Sequence, residues 1–259
     1  MSYVLSHDDV SKVLEKYEKE FKYIYWLRRM MRSYCADRMR NAIQSGMIEL
    51  VRPLAAREHL FPEDACDLAA ENGKLDVFLC LLEHGCTWQK NAALLAVQRG
   101  WIDIWSCMCE HGNTVERKDL EAAVVGGHLD CIKYVLTKFR SLQISQRIIV
   151  NTAAKHGHLH VLQYLAEQTI DWSRYSCEHA AYRGHLHCLK FMHEHGCQWC
   201  DFTMTLAAQN GYLDCMRYMH ENNCEWNAEV ARSAEQNGHA RCLAYALSHG
   251  CPYEAHNLH

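Results

Sequence analysis

Eight glycines recur along the chain at a nearly constant spacing. They are Gly46, Gly73, Gly100, Gly127, Gly157, Gly184, Gly211 and Gly238. Six of the seven intervals are 27 residues long, and the interval from Gly127 to Gly157 is 30. A fixed period of about 20–50 residues is typical of a stacked array, in which each repeat buries its apolar face against its neighbours. The spacing therefore predicts one elongated domain, and it places function on a surface.

Each repeat, aligned on its marker glycine, reads as two short helices. The first carries a pair of small residues, as in Ala180-Ala181, and ends at the marker glycine, which suits a left-handed C-cap. The second places apolar residues four, five and eight positions after the glycine, as in Cys188, Leu189 and Met192, which is one helical face. Acidic residues in its first turn complement the helix dipole in five repeats. They are Glu49, Asp76, Asp103, Asp130 and Asp214.

Each repeat closes with a tail, which runs from Glu194 to Trp199 in its fullest form and reads Glu-His-Gly-Cys-Gln-Trp. We expect the tail glycine to end the second helix. An aromatic residue recurs fifteen positions after the marker glycine, and this regularity favours packing against the next repeat over recognition of a ligand. These residues are Trp88, Trp172, Trp199, Trp226 and Tyr253. In the 30-residue interval, residues 139–144 replace the tail and predict a longer loop.

The run Ala-Ala-x-x-Gly-His-Leu, followed by an apolar helix and His-Gly, resembles the ankyrin repeat over roughly residues 38 to 259. Two features depart from that family: its Thr-Pro-Leu-His start is absent, and the period is 27 rather than about 33. About six missing residues correspond to the projecting β-hairpin. The resemblance therefore implies an all-α fold, an α-solenoid of about eight stacked helix-loop-helix repeats with little or no β-hairpin.

The resemblance has two further implications. Residues such as His158 and His185 occupy the loop position at which ankyrin-like repeats use histidine to hydrogen-bond neighbouring turns. The longer run Gly-His-Leu-x-Cys-Leu-Lys-Phe, which begins at Gly184, is similar to the compact ankyrin-like arrays of large DNA viruses of protists and of protist genomes. This narrower similarity suggests an origin for the protein but does not identify its partner.

Residues 1–37 precede the repeats and are predicted to form an N-terminal capping helix. Their apolar side chains follow a three-to-four spacing, and a solenoid needs a cap over the open face of its first repeat. An aromatic and basic cluster around Trp26 and Arg29 leaves a second interpretation open, a helix that docks a partner. At the other end, the core pattern of Leu243 and Ala246 continues close to the C-terminus, so self-association through exposed array ends is an alternative.

Composition argues against several classes of function. The formal net charge of −4 provides no basic footprint for nucleic acid, no apolar run reaches the ~18 residues that span a bilayer, and the N-terminus lacks a signal-peptide pattern. Fifteen cysteines without such a signal indicate reduced thiols in the cytoplasm, of the host cell if the protein is viral, and make disulfides the less favoured alternative. Four cysteines alternate with aliphatic residues four positions after the marker glycine, as small buried hydrophobes would. They are Cys131, Cys188, Cys215 and Cys242.

The histidines and cysteines also raise the question of a metal site. Cys197 and Cys200 form a ligand-like pair, with His193 and His195 nearby. Structural zinc commonly needs two such pairs, and the chain has no second Cys-x-x-Cys, so we predict no metal and no cofactor. The absence of a nucleophile elbow, a phosphate-binding loop and a His-Glu-x-x-His motif favours a protein without enzymatic activity. The alternatives are a metal-binding or redox-responsive Cys/His-rich protein and a substrate adaptor of a ubiquitin ligase.

Positions that differ between repeats are the candidates for binding a partner, and the two residues before each marker glycine vary most. The resemblance implies that partner proteins bind the concave side of such an array, through the loops and the outward residues of the first helices. Tyrosine and arginine are enriched at binding hot spots. The predicted partner-binding residues are Arg99, Lys155, His156, Arg174, Tyr175, Tyr182, Arg183, Phe202 and Gln209. This patch is basic, which predicts an acidic or phosphorylated segment of another protein as its ligand.

Overall fold

The structure is a computed structural model that describes residues 37–55, 61–139, 145–168, 172–200 and 202–253. Within these ranges the chain forms helices and no strand, which confirms the predicted all-α class. No helix in the described part is long and apolar enough to cross a bilayer. The predicted N-terminal capping or docking region (1–37) lies outside the described residues except for residue 37, which begins the first helix, and so does the predicted longer loop (139–144) except for Phe139.

Sixteen helices are present in the described residues, two for each marker glycine. Odd-numbered helices are the first helices of the repeats and even-numbered helices are the second. They are α1 (37–45), α2 (Ile48–Ala55), α3 (Ala65–Glu71), α4 (Leu75–Glu83), α5 (Lys90–Gln98), α6 (Ile102–Glu110), α7 (Arg117–Gly126), α8 (Leu129–Lys138), α9 (Gln146–His156), α10 (Leu159–Ala166), α11 (Arg174–Arg183), α12 (Leu186–Glu194), α13 (Thr203–Gln209), α14 (Leu213–Glu221), α15 (Ala228–Gln236) and α16 (Ala240–Ser248).

The marker glycines stop the first helices, as predicted. All eight lie in the left-handed region, with φ between +66° and +77°. At Gly184, the backbone N–H donates to the carbonyl of Ala181 at 3.2 Å, so the turn also satisfies an end carbonyl of α11. The tail glycines Gly85, Gly112, Gly196 and Gly250 adopt the same conformation, and in the repeat of Gly211 Asn223 takes it with φ +62°. A left-handed residue therefore follows the second helix in these five repeats.

The described residues divide into two compact units. Among these residues, the first unit contains those up to Ala96 together with Asp103–Met108, and the second contains Val97–Ile102 together with those from Cys109 onward. The single elongated repeat array over residues 38–259 stays a prediction. In the first unit, α2 and α3 both pack against α4. The core of this unit includes the fully buried side chains of Ile43, Val51, Phe78, Leu81 and Trp105.

In the second compact unit the helices form two layers, as in an α-solenoid. The first helices α7, α9, α11, α13 and α15 pack against one another in chain order, and the second helices α10, α12, α14 and α16 do the same. The alanine pairs explain the close packing of the first layer, because Ala153, Ala180 and Ala207 are completely buried and add little bulk. Each first helix thus keeps one face inside the array and turns another toward solvent.

Histidines join neighbouring repeats in this second unit. Four of them directly follow the marker glycine of their own repeat. In each, Nε2 hydrogen-bonds to a backbone carbonyl of the preceding repeat, two residues before that repeat's marker glycine. The pairs are His128–Gln98 (2.8 Å), His158–Val125 (2.7 Å), His185–Lys155 (3.0 Å) and His239–Gln209 (3.0 Å). The same rings cover those glycines, so that a Cβ added to Gly211 would lie 2.6 Å from the His239 ring. The inter-repeat role of these histidines is therefore confirmed. The marker glycine is needed for close approach as well as for its left-handed backbone.

Aromatic side chains link the second helices. Trp172 contacts Phe191 of the next repeat edge-on, with ring centroids 6.1 Å apart, and Trp199 contacts Tyr218 in the same way. Trp226 contacts Tyr245 at 6.2 Å with the rings tilted by 59°. This confirms, for these three residues, the predicted packing of the tail aromatics. In two repeats a histidine adds a hydrogen bond: Nδ1 of His193 lies 3.0 Å from the Tyr218 hydroxyl, and Nδ1 of His220 lies 3.0 Å from the Tyr245 hydroxyl.

The cysteines four positions after the marker glycine are core residues, as predicted. Cys131, Cys188, Cys215 and Cys242 are all buried. Burial raises the pKa of Cys131 and Cys215 to about 12 and that of Cys188 to about 11, so these thiols stay protonated near neutral pH. They fill the space that Val161 fills in a neighbouring repeat.

Candidate functional site

The first helix α11 presents an aromatic face to solvent. Tyr175 and Tyr182 are seven residues apart, two helical turns, and therefore lie on the same side of the helix. Their exposed fractions are 48% and 39%, which is high for rings of this size. Half-buried His179 lies between them on that side.

The neighbouring first helices α9 and α13 both pack against α11 and repeat its pattern. On α13, Phe202 at the N-cap is 62% exposed, and Gln209 lies seven residues further on. On α9, Ile148 and Lys155 occupy the corresponding positions. We call these side chains the aromatic face; it consists of Ile148, Lys155, Tyr175, His179, Tyr182, Phe202, Leu206 and Gln209.

Local sequence fixes where these side chains point. Ser173 caps α11 and accepts a hydrogen bond from the backbone N–H of Tyr175 at 3.4 Å, which places Tyr175 in the first turn. Gly184 ends the helix directly after Arg183, so that Tyr182 and Arg183 occupy its last turn. The face thus spans the helix from one end to the other.

Cationic groups cluster at the C-terminal ends of α9 and α11. Burial, followed by the charges of His158, Lys155 and Arg183, lowers the pKa of His156 below its usual range. Burial also lowers the pKa of His179, and Lys155 contributes to that shift. These effects require the groups to lie near one another, and cations are favourable at helix C-termini. One end of the aromatic face is therefore positively charged.

The structure brings most of the predicted partner-binding residues to three neighbouring helices. Arg99 is the exception, because it follows α5, two repeats before α9, although it is exposed and holds an equivalent position in its repeat. Sequence reasoning missed three members of the face, Ile148, His179 and Leu206. Ile148 could have been predicted, because it lies seven residues, or two helical turns, before the variable position Lys155, as Tyr175 does before Tyr182 and Phe202 before Gln209.

The side chains considered as metal ligands have separate partners. His195 Nδ1 lies 2.8 Å from the Phe191 carbonyl, and His193 pairs with a tyrosine hydroxyl. The Cys200 thiol donates to the Glu178 carboxylate at 2.8 Å, whereas Cys197 contacts a different thiol. Among the described residues, no group of three or more His, Cys, Asp or Glu side chains could hold a metal ion.

Comparison with known proteins bears on the fold. A scan against protein-family models finds no match, and neither does a search of curated proteins. Among solved structures, the ankyrin repeat domain of human ASB11 matches with a TM-score of 0.50 and 16% sequence identity, over 62% of this chain and 84% of that one. The likeness concerns the fold alone, and it supports the ankyrin-like repeat architecture implied by the sequence. The narrower similarity to viral and protist arrays stays a prediction.

Proposed function

We propose that the protein is a non-enzymatic scaffold for protein–protein interaction and that the aromatic face binds its partner. The observation that carries the proposal is the exposure of Tyr175 and Tyr182 on α11 and of Phe202 at the start of α13, two helices that pack side by side. Large exposed rings held on rigid helices are the usual anchors of protein interfaces, since they bury much area at little conformational cost. In the arrays that the sequence resembles, the first helices form the concave side.

The charge distribution indicates the chemistry of the partner. Lys155, Arg183 and His156 lie at one end of the face, within a chain of net charge −4. We infer that the partner is a protein segment with apolar side chains for the rings and acidic or phosphorylated residues for the cationic end. Nucleic acid is disfavoured, because neutralising a phosphate backbone needs a larger excess of positive charge.

Charge reversal on α11 tests this proposal. The double variant Arg174→Glu and Arg183→Glu should lose at least tenfold in partner capture by affinity purification and mass spectrometry, while its melting temperature stays within about 1 °C of the wild type. A matched control reverses two exposed charges on second helices, Lys138→Glu and Arg241→Glu, and should capture partners normally. Capture that is unchanged in the Arg174/Arg183 variant, or equally reduced in the control, would contradict the assignment of the face.

The rings are tested separately from the charges. Tyr175→Ala with Phe202→Ala should weaken capture at every salt concentration, because it removes apolar contact. The charge-reversal variant should differ from wild type chiefly at low salt, since screening removes the contribution of exposed charges. Identical salt profiles for the two variants would show that the ring and charge contributions are not as proposed.

A further inference from the structure

One pair of cysteine thiols is in direct contact within a single repeat. Cys177 lies on α11 and Cys197 in the tail after α12, and their Sγ atoms are 2.6 Å apart, with Cys177 donating its S–H. That separation is only about 0.5 Å longer than a covalent S–S bond of ~2.05 Å. Both side chains are almost fully buried, with exposed fractions of 0% and 1%. The two sulfurs thus already face each other.

A second repeat has cysteines at the same two positions. Cys66 and Cys86 stand seven residues before and thirteen residues after their marker glycine, the positions held by Cys177 and Cys197. Burial raises the pKa of Cys66, and the neighbouring Cys86 adds to that shift. No other repeat has cysteine at both positions. Two repeats have only the tail cysteine, Cys224 and Cys251, opposite Met204 and Ala231.

We propose that Cys177–Cys197 and Cys66–Cys86 are the oxidation sites of this protein, each forming an intrachain disulfide with a small peroxide as oxidant. The proposal goes beyond binding at the aromatic face and does not depend on it. It also separates these four thiols from the core cysteines, which pack against apolar neighbours.

The chemistry balances with hydrogen peroxide as the oxidant. One thiolate attacks a peroxide oxygen, the O–O bond breaks, and a sulfenic acid forms while hydroxide leaves and takes up a proton. The second thiol loses its proton and attacks that sulfur, the S–S bond forms, and the S–O bond breaks with loss of water. In total, two thiols and one peroxide give one disulfide and two waters, and the two electrons removed from sulfur reduce the peroxide oxygens.

The contact assigns the roles within the first pair. Cys177 donates its S–H to the Cys197 sulfur at 2.6 Å, and this bond stabilises a thiolate on Cys197. Cys197 therefore attacks the peroxide and Cys177 resolves the sulfenic acid. Cys200 is not the resolving residue, because its thiol is engaged with Glu178 at 2.8 Å and with Thr203 at 3.3 Å.

Solvent access distinguishes the two pairs. Cys86 is half-buried, whereas Cys177 and Cys197 are buried, so peroxide reaches the pair in the first compact unit without local opening. Closure of either pair ties a first helix to its tail around a loop of about twenty residues. We expect the oxidised protein to melt roughly 5–10 °C higher than the reduced protein.

Peptide mapping of the full chain tests the proposal. The reduced protein is treated with hydrogen peroxide, alkylated in denaturant and digested with trypsin without reduction. Peptide 175–183 should be linked to peptide 191–217, with fragment ions that place the bond at Cys197, and peptide 58–74 should be linked to 75–90 through Cys86. The thiol count should fall from fifteen to eleven, because two disulfides use four of the fifteen cysteines.

Variants and internal controls sharpen the test. Cys224 and Cys251 should be fully alkylated, because methionine and alanine stand where the other two repeats have the second cysteine, at Met204 and Ala231. Cys200→Ala should leave the link between Cys177 and Cys197 intact, whereas Cys177→Ala should abolish it and leave the link between Cys66 and Cys86 unaffected. A link through Cys200, scrambled links that include the tail cysteines, or fifteen free thiols after treatment would overturn the proposal; the mapping of unmutated protein decides even if a variant misfolds.

Discussion

Replacing Gly211 by alanine tests whether the marker glycine serves packing as well as backbone conformation. The residue has φ +77°, and a Cβ there would lie 2.6 Å from Nδ1 and 2.8 Å from Cε1 of His239. Carbon atoms pack favourably at about 3.5–4.0 Å, so the ring must move by about 1 Å. Such a shift breaks the 3.0 Å hydrogen bond from His239 to the Gln209 carbonyl.

The chain contains a matched control for this substitution. Gly238 is the marker glycine of the last repeat and has φ +73°, but among the described residues nothing lies within 4 Å of its added Cβ. Gly238→Ala therefore costs only the left-handed strain, about 1 kcal/mol. Gly211→Ala adds about 1 kcal/mol for the hydrogen bond and roughly 1 kcal/mol for displaced packing, about 3 kcal/mol in total.

Urea denaturation followed by circular dichroism measures the difference. For a slope of about 3 kcal/mol/M, Gly211→Ala should lower the midpoint by about 1 M and Gly238→Ala by about 0.3 M. His239→Ala should recover part of the Gly211→Ala loss in a double-mutant cycle, because it removes the clashing ring. Equal losses for the two glycine variants, with no coupling to His239, would refute a packing role for the marker glycine.

Three further predictions concern a buried thiol, a hydrogen bond between repeats and a histidine pKa. Cys188→Val should change the unfolding free energy by less than about 1.5 kcal/mol, whereas Cys188→Ser buries a hydroxyl and should cost about 1–3 kcal/mol in urea titrations. Tyr245→Phe removes the hydrogen bond to His220 and should cost about 1 kcal/mol in the same assay, more than Tyr164→Phe, where the preceding repeat supplies leucine instead of histidine. The pKa of His156 is lowered in the folded chain, so the unfolded chain takes up this proton at a higher pH and the contribution of His156 to stability falls as pH drops through ~6.5. His156→Gln should reduce the fall in melting temperature between pH 7 and 5 without abolishing it, because His179, His185 and His193 also have lowered pKa values.

Much of the fold could be predicted from the sequence because its determinants are local. A glycine such as Gly184 ends a helix through its own backbone, and residues four, five and eight positions later define a buried face whatever the distant chain does. The burial of Cys188 follows from the same spacing. The residues of the candidate site at the ends of α9, α11 and α13 could be predicted for a similar reason, because comparison of repeats within the chain reveals the variable positions.

Other features depended on contacts between residues far apart in the sequence. The aromatic face exists because α9, α11 and α13 pack in order, which brings Tyr175 and Phe202, 27 residues apart, onto adjacent helices. Arg99 has the same local sequence character as Arg183 but lies two repeats before α9, and only the stacking order excludes it from the face.

For the cysteines, burial could be predicted from the sequence, but the contact between two of them could not. Sequence composition and spacing predict that they are reduced and mostly buried thiols. The chain trace through α11 and α12 then returns Cys197 to Cys177 across a 20-residue separation. Two thiols meet only if the side chains at both ends of this segment point toward each other. No local sequence pattern contains that information, and so the oxidation site could be proposed only from the folded chain.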